Sequence, residues 1–303
     1  MRRLMCASTV LMCVLWSVTA LGQERSDGPR FVTSFELGFV DVLSHSVQFG
    51  RDGTEFDYVK DGGQDVLFSF VRLSGEFSPS SRHHIKFLYQ PLEFEGRVRF
   101  FEDVKVNETV FAAGTPVDVF YGFPFYRLSY MYDVAASDAL EVSLGGSLQL
   151  RNATISFTSA DGQQRVSQRD VGFVPILKAR VRYDWKNGYW AGLEADGFYA
   201  PVSYLNGDDN DVVGAILDAS IRGGYRFGGG LEAFFNIRYV GGGGSGANEN
   251  PDNDPGDDGY VVNWLHLATI SLGINFDWTH GFGGHHSSPA SPTDHDPSGY
   301  WKP

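Results

Sequence analysis

Apolar and polar residues alternate strictly over long stretches of this chain. From Ala268 to Trp278 every second residue is apolar, and the positions between them are Thr, Ser, Gly, Asn and Asp. Successive side chains of a β-strand point to opposite faces, so the pattern predicts a strand with one apolar and one polar face. The same alternation recurs between Phe31 and Trp278. A barrel closed within a membrane is the arrangement that gives all these apolar faces one common environment.

The alternation and the turn residues that bound it predict ten antiparallel strands. They cover residues 31–41, 65–77, 83–94, 118–132, 139–152, 170–185, 189–200, 211–227, 231–240 and 261–278. This makes the fold class all-β: a single-chain antiparallel transmembrane β-barrel of about ten strands. An even strand number returns both ends of the barrel to the same side of the membrane.

The predicted connections alternate between short and long. The short ones are residues 78–82, 133–138, 186–188 and 228–230, and the long polar ones are 42–64, 95–117, 153–169, 201–210 and 241–260. Short periplasmic turns and long extracellular loops are typical of outer-membrane barrels. The first two long loops contain apolar residues of their own, such as Phe49 and Phe100. Extra hairpins there would raise the strand count to twelve, which stays an alternative. The run Gly241 to Gly246 is interpreted as the flexible root of the last loop.

The beginning of the chain has the features of an export signal. Arg2 and Arg3 precede an apolar segment, and a small-residue site follows it, so residues 1–22 are predicted to be a signal peptide. Both cysteines, Cys6 and Cys13, lie within it. The barrel is then expected at residues 23–280, and the polar, Pro-rich residues 281–303 are expected to form a disordered periplasmic tail. The formal net charge of −13 argues against nucleic acid as a partner.

The polar faces of the predicted strands carry charges of both signs in similar number. If two strands turn around Asn187, Lys178 lies opposite Asp196 and Arg180 opposite Glu194; a turn around Gly229 places Arg226 opposite Glu232. Such cross-strand pairs contribute roughly 0.2–1 kcal/mol each. A soluble β-sandwich also alternates, but it would not bury so many ions. We therefore expect a narrow lumen, largely plugged by ion pairs.

Aromatic residues gather at the ends of the apolar faces, as in the girdles of membrane barrels. The expected periplasmic girdle comprises Tyr132, Tyr183, Trp185, Tyr225 and Trp278, and the expected outer girdle Phe39, Tyr199, Tyr239 and Trp264.

On these features the chain resembles the outer-membrane β-barrel proteins of Gram-negative bacteria over roughly residues 23–280. The resemblance rests on architecture and indicates no particular family. It implies a place in the outer membrane, contact with membrane lipid and lipopolysaccharide, and insertion by the barrel assembly machinery. Such proteins usually end on the last strand, whereas here about twenty residues follow Trp278. If the tail remains, the signal read by that machinery is internal.

Few residues in the sequence suggest chemistry. The acidic segments 206–211 and 248–258 offer carboxylates that suit Ca²⁺, but neither has the spacing of a known calcium loop, so solvated acidic loops are the favoured interpretation and no cofactor is assigned. His45 lies between Ser44 and Ser46, but neighbours on a strand face opposite ways, so no catalytic residue is assigned. His266 is interpreted as part of the outer girdle. His83 and His84 fall near a periplasmic turn, away from any outer-leaflet substrate.

Function is predicted only in outline. We expect a non-enzymatic barrel that serves small-solute passage or surface interaction. The alternative is an outer-leaflet enzyme, either a hydrolase of lipid A or phospholipid or an omptin-like protease. Residues expected at the extracellular rim, where a ligand would bind, are Arg151, Asn152, Tyr204, Asn206 and Asn263.

Overall fold

The computed structural model describes residues 28–201, 213–247 and 259–281. The predicted signal peptide, the acidic segments 206–211 and 248–258, and nearly all of the predicted tail lie outside this range. Within it, no helix is long and apolar enough to cross a membrane.

Fifteen strands and one helical turn account for most of the described chain. They are β1 (Arg30–Phe49), β2 (Phe56–Asp57), β3 (Phe68–Ser80), β4 (His83–Gln90), β5 (Glu93–Arg99), β6 (Val104–Val106), β7 (Thr109–Phe111), β8 (Pro116–Gly122), β9 (Phe125–Ala136), β10 (Leu140–Ser159), β11 (Arg165–Asp184), β12 (Tyr189–Pro201), β13 (Val213–Gly228), β14 (Leu231–Ala247), β15 (Tyr260–Asp277) and the turn Trp278–Gly281.

Ten of these strands close into a barrel. Antiparallel pairing runs through β1, β3, β4, β9, β10, β11, β12, β13, β14 and β15, and β15 pairs back with β1 from Val32↔Asp277 to Phe49↔Val261. Every strand of the ring therefore has two partners, as a spanning sheet requires, although β11 pairs with β12 only from Leu177↔Gly197 to Asp184↔Trp190. The predicted ten-stranded fold is confirmed.

The second predicted long loop folds into two hairpins, β5–β8 and β6–β7, which add no strand to the ten-membered ring. β5 and β8 continue β4 and β9 beyond short breaks at Pro91 and Pro124, where the missing backbone N–H interrupts the ladder. β8 pairs with the upper end of β10, as in Ser156↔Phe120, and β5 pairs with β8. β6 and β7 form a separate small hairpin. The twelve-strand alternative is therefore wrong for the ring.

Several strands run much further than the sequence pattern predicts. β10 and β11 approach each other to within the short connection 160–164, so most of the predicted loop 153–169 is strand. β14 continues through the glycine run to Ala247, so its interpretation as a flexible loop root is wrong. These extensions lie on the extracellular side of the membrane, where an outward side chain can be polar. The alternation of apolar and polar residues that marks the membrane-spanning parts of the strands is therefore lost there.

A belt of exposed apolar side chains surrounds the lower part of the barrel. Outward residues that a soluble protein would bury are highly accessible, including Phe35, Leu37, Phe39, Phe173, Leu177, Leu193, Ile221, Ile270 and Leu272. Tyr132, Tyr183, Trp185, Tyr225 and Trp278 follow at the end with the short turns, as expected for an interfacial girdle. On β1 the belt ends near Leu43, beyond which the outward residues Ser44, Ser46 and Gln48 are polar.

The apolar core begins at the upper edge of this belt, with Val40, Val42 and Phe70, and fills the extracellular end of the barrel. We call this part the head: the end of β1 after Leu43, residues 50–67, the strands β5 to β8, and the adjoining ends of β10, β11 and β15. Its cluster comprises Val40, Val42, Val47, Phe49, Phe56, Tyr58, Phe70, Leu92, Phe94, Phe100, Val104, Val106, Phe111, Val117, Val119, Tyr121, Ile155, Phe157, Leu265 and Leu267. The head is thus a folded cap and not a set of independent loops.

Candidate functional site

The middle of the lumen is filled by a charged layer. It consists of Arg72, Arg127, Lys178 and Arg238 with Glu36, Glu194, Asp196 and Asp218, and these side chains are between 1% and 7% exposed. Small side chains in the barrel wall, such as Ser129 and Ser147, complete the packing. At this level the lumen is therefore occupied by side chains.

The strongest contacts of the charged layer cross the lumen. Arg127 of β9 places Nη1 2.8 Å from Asp218 Oδ2 and 3.0 Å from Asp196 Oδ2, on the opposite wall. Arg238 donates to both oxygens of Asp218 and, through Nη1, to Gln90 Oε1 at 2.7 Å. Charge-assisted hydrogen bonds of this kind are the strong ones. They tie distant strands together through the interior.

Two of the three predicted ion pairs lie opposite each other at contact distance. Lys178 Nζ is 2.8 Å from Asp196 Oδ2, and Arg226 Nε is 3.0 Å from Glu232 Oε1. Both pairs are in cross-strand register. The first belongs to the charged layer, and the second lies lower, near the periplasmic turns.

The predicted pair of Arg180 with Glu194 is wrong as a contact, although the two residues are in register. Arg180 points towards the periplasmic end, where Nη1 lies 2.6 Å from Glu76 and Nη2 lies 2.8 Å from Glu141. Glu194 binds Lys178 and Lys86 instead. Register fixes which Cα atoms face each other, but a long side chain in a curved lumen reaches whichever carboxylate is nearest.

A cavity of about 870 Å³ lies between the charged layer and the short turns. Charged and polar side chains line it, among them Arg30, Glu76, Ser78, His84, Arg180 and Glu232. Turn residues such as Ser81 and Gly229 also contribute, so the cavity faces the periplasm. The sequence does not predict this cavity, because the residues that line it come from strands that are far apart in the chain.

The rim candidates do not form one site. Arg151 faces the interior, and Asn263 lies among the apolar cluster of the head, with Nδ2 3.4 Å from the Tyr121 hydroxyl. Asn152 is paired with Val171 on the outward face of β10. Tyr204 and Asn206 lie outside the described residues. On β10 the prediction placed the rim too low, since this strand continues to Ser159, whereas Asn263 lies three residues inside the end of β15.

His45 belongs to the core of the head. Its ring stacks on Tyr58 at a centroid distance of 4.4 Å, and Nδ1 is 2.8 Å from Gln64 Oε1. Burial in this position, above the apolar belt, lowers the pKa of His45 to about 4, so the ring is neutral at ordinary pH. Ser44 faces outward and is exposed. The histidine and the neighbouring serines therefore do not meet.

His266 lies on the outward face, where its Nδ1 is 2.6 Å from the Tyr239 hydroxyl. This fits the predicted place in the outer girdle.

Phe101 is the most exposed apolar residue among the described residues of the head, ahead of Leu67 and Val66. Phe101, between β5 and β6, is 91% exposed, while its neighbour Phe100 is buried in the head. The hairpin that presents it is held by the cross-strand pair Arg97–Asp118, with Nη2 2.8 Å from Oδ2.

Comparison with known proteins identifies no family. No protein-family model matches the chain, and no curated protein sequence does. Solved structures of similar shape include the outer membrane protease OmpT from Escherichia coli, with 10% identity over 86% of this chain and 100% of that chain and a TM-score of 0.48. Others are OprG from Pseudomonas aeruginosa (12%; 82% and 97%; TM-score 0.32) and Ail of Yersinia pestis (13%; 82% and 99%; TM-score 0.30). Similarities this weak carry no information about the activity of this chain. By its own closed ring, lipid-facing belt and girdle, the protein is an integral outer-membrane β-barrel.

Proposed function

We propose that the protein is a closed, non-enzymatic outer-membrane barrel that acts through its extracellular head as a surface-interaction protein. The observation that carries this proposal is the head itself, in which twenty apolar side chains are clustered around segments that the sequence suggests to be loops. Ordering a long loop costs conformational entropy, which the apolar contacts of the head offset. Loops held by a rigid scaffold often carry the binding residues of a protein.

The filled lumen argues against solute passage. A solute would have to pass the head's core and then the charged layer, where Arg127 is 1% exposed and bridges opposite walls. Opening that layer would leave buried charges without partners, at a cost of roughly 3–5 kcal/mol for each broken pair.

Phe101 indicates where a partner would bind. Exposed aromatic residues on a rigid support are enriched among the residues that contribute most to protein–protein binding. Phe101 stands on a hairpin that is anchored in the head by Phe100 and Val104, which are 3% and 4% exposed. We infer a partner surface with an apolar pocket, bordered by groups that accommodate Arg97, Asp118 and the nearby charges.

Two further partners are proposed from the architecture. The apolar belt would contact outer-membrane lipid and lipopolysaccharide, and insertion would require the barrel assembly machinery. Calcium binding by the segments 206–211 and 248–258 stays a prediction.

Conductance recordings test the closed lumen. The purified full chain, inserted into planar bilayers at high salt, is expected to produce no discrete steps, because the charged layer and the head's core block the lumen. A general porin in the same bilayers provides the positive control. Steady steps of reproducible size from this protein would refute the closed-barrel proposal.

Photo-crosslinking on intact cells tests the head as the binding surface. A photoreactive amino acid at position 101 is expected to form adducts with a surface protein, whereas the same group at Leu272, which is 69% exposed on the lipid face, should capture lipid. Equal adduct patterns from both positions would contradict a specific role for Phe101.

A further inference from the structure

Three potential metal ligands converge on the wall of the periplasmic cavity. His84 of β4, Asp133 of β9 and Glu141 of β10 each offer an atom, and these atoms lie within 4.8 Å of one another. The three residues come from adjacent strands, and all are buried, with Asp133 at 0% exposure. His84 and Glu141 also line the cavity, so an ion could reach them from the periplasm.

The surroundings of His84 orient its ring as in a metal ligand. Nδ1 lies 2.8 Å from Ser78 Oγ and 3.2 Å from Glu76 Oε1, so this nitrogen has two acceptors for its proton. A histidine that binds metal through one ring nitrogen usually donates the other N–H to a carboxylate or another acceptor. The same tautomer leaves a lone pair on Nε2.

That lone pair faces the carboxylate of Asp133 at a distance that a proton or a metal ion can bridge. Nε2 of His84 is 3.1 Å from Asp133 Oδ1, and both Nε2 and Asp133 Oδ2 are buried without a hydrogen-bond partner among the described residues. Asp133 is held in place by Ser143, whose hydroxyl donates to Oδ1 at 2.6 Å, and by its backbone N–H, which donates to the Arg82 carbonyl. Two electron-rich atoms fixed this close together require either a proton or a metal ion beside them.

The local charge balance has room for a divalent cation. Three carboxylates, those of Glu76, Asp133 and Glu141, surround the site, and Arg180 is the guanidinium that contacts two of them. The three carboxylates therefore outnumber the guanidinium that contacts them. Lys86, the next cation on β4, pairs with Glu194 in the charged layer.

We propose that His84, Asp133 and Glu141 form a binding site for a divalent transition-metal ion of the Zn²⁺ type, open to the periplasm. One imidazole nitrogen and two carboxylates match the ligands that zinc takes, with bonds of about 2.0–2.2 Å. The three ligand atoms now lie within 4.8 Å of one another. To reach these bond lengths around one ion, they would have to move about 1 Å closer together. Glu76 and Ser78 act as positioning residues that fix the ring, and the remaining coordination position faces the cavity.

Zinc titration of the folded full chain tests the proposal. The tail contains His285, His286 and His295, and because imidazole is a metal ligand, all measurements use a background in which these three are replaced by Gln. After treatment with a chelator, the barrel is titrated with Zn²⁺ against a chromophoric competitor, and one site per chain is expected. X-ray absorption at the zinc edge is expected to show nitrogen and oxygen ligands only.

Matched variants separate the site from other binding. His84→Gln and Asp133→Asn should each lower the zinc affinity at least 100-fold, and Ser78→Ala should lower it about 10–100-fold. His83→Gln is the control, because His83 lies on the lipid-facing side and bonds the Tyr130 hydroxyl. Heat-modifiable gel mobility establishes that each variant is folded.

Two results would overturn the site. One is a chain without stoichiometric zinc, which would mean that His84 carries a proton between Glu76 and Asp133. The other is an affinity that His84→Gln leaves unchanged. Neither result bears on the proposed function of the head.

Discussion

Arg127 shows how this barrel keeps a buried charge. Its guanidinium contacts Asp196 and Asp218, while Nε and Nη2 both donate to Gln149 Oε1, at 3.0 and 2.7 Å. Each donor nitrogen thus has an acceptor, which a buried arginine requires. The sequence predicts that such a residue faces the lumen. It does not predict Asp218 as its partner, because a contact between β9 and β13 depends on the diameter and tilt of the closed barrel.

Replacing Arg127 should be costly. Arg127→Met is expected to destabilise the barrel by roughly 3–5 kcal/mol, because Asp196 and Asp218 lose a buried counter-charge. The measurement is the urea concentration at which the compact gel form is lost.

Arg226→Gln is the matched control, since this arginine is 47% exposed and pairs near the periplasmic turns. A change of about 0–1 kcal/mol is expected for such a partly solvated pair. Equal losses in the two variants would show that depth in the lumen does not decide the contribution of a pair.

Among the strands, β14 continues through a segment whose sequence suggests a loop. The run Gly241 to Gly246 suggests a loop, yet these residues pair with β13 on one side and β15 on the other. A Cβ atom on Gly243 would lie 2.0 Å from the Asn263 carbonyl oxygen, so the close approach of the two strands requires glycine there. An alternating pattern predicts strands where the outward residues face lipid and are therefore apolar. Above the belt the outward residues face water and can be polar, so the alternation no longer marks the strands.

Gly243→Ala should therefore disturb strand pairing. We expect a loss of about 1–3 kcal/mol, as for other overpacked positions, measured from the temperature at which the heat-modified band appears.

Gly214→Ala, one strand away, serves as the comparison because its Cβ would lie 3.7 Å from the nearest atom, the Gly243 carbonyl oxygen. Its transition should stay close to that of the unsubstituted chain. A similar drop in both variants would mean that glycine acts here through flexibility and not through close packing.

The whole molecule has two interiors of opposite character. The part within the membrane is filled by ion pairs, whereas the head above it is filled by apolar side chains. Alternation and turn spacing predict the ring and the polar lumen. The head could not be predicted in the same way, since its core joins β1, residues 50–67 and the hairpins β5 to β8 through contacts between distant segments. The His84 cluster was missed for the same reason.

The two interiors should unfold separately. Phe157 is 1% exposed and packs edge-on against Phe56 at 5.3 Å between ring centroids, so Phe157→Ala is expected to remove roughly 3–5 kcal/mol from the head. Trypsin added to intact cells should then cleave at head residues such as Arg51, Lys60 and Lys105, and the same residues are expected to resist cleavage in the unsubstituted chain.

Phe87→Ala on the lipid-facing side tests whether any lost aromatic has this effect, since Phe87 is 50% exposed. It should leave the head resistant to trypsin, and both variants should keep heat-modifiable mobility. Simultaneous loss of head resistance and gel mobility in Phe157→Ala would indicate one cooperative unit instead of two.

Glu36 connects the first strand of the ring to the last two. Its carboxylate accepts hydrogen bonds from Asn236 of β14 at 2.8 Å and from Ser271 of β15 at 3.1 Å, besides one from Arg72 at 3.1 Å. If the sheet enters the bilayer before β1 has paired with β15, the Glu36 carboxylate lies in hydrocarbon without most of its hydrogen-bond partners. A charged group in that position has a high free energy. Ring closure therefore removes an electrostatic penalty as well as an open edge, and the lumen itself disfavours barrels that are left unfinished.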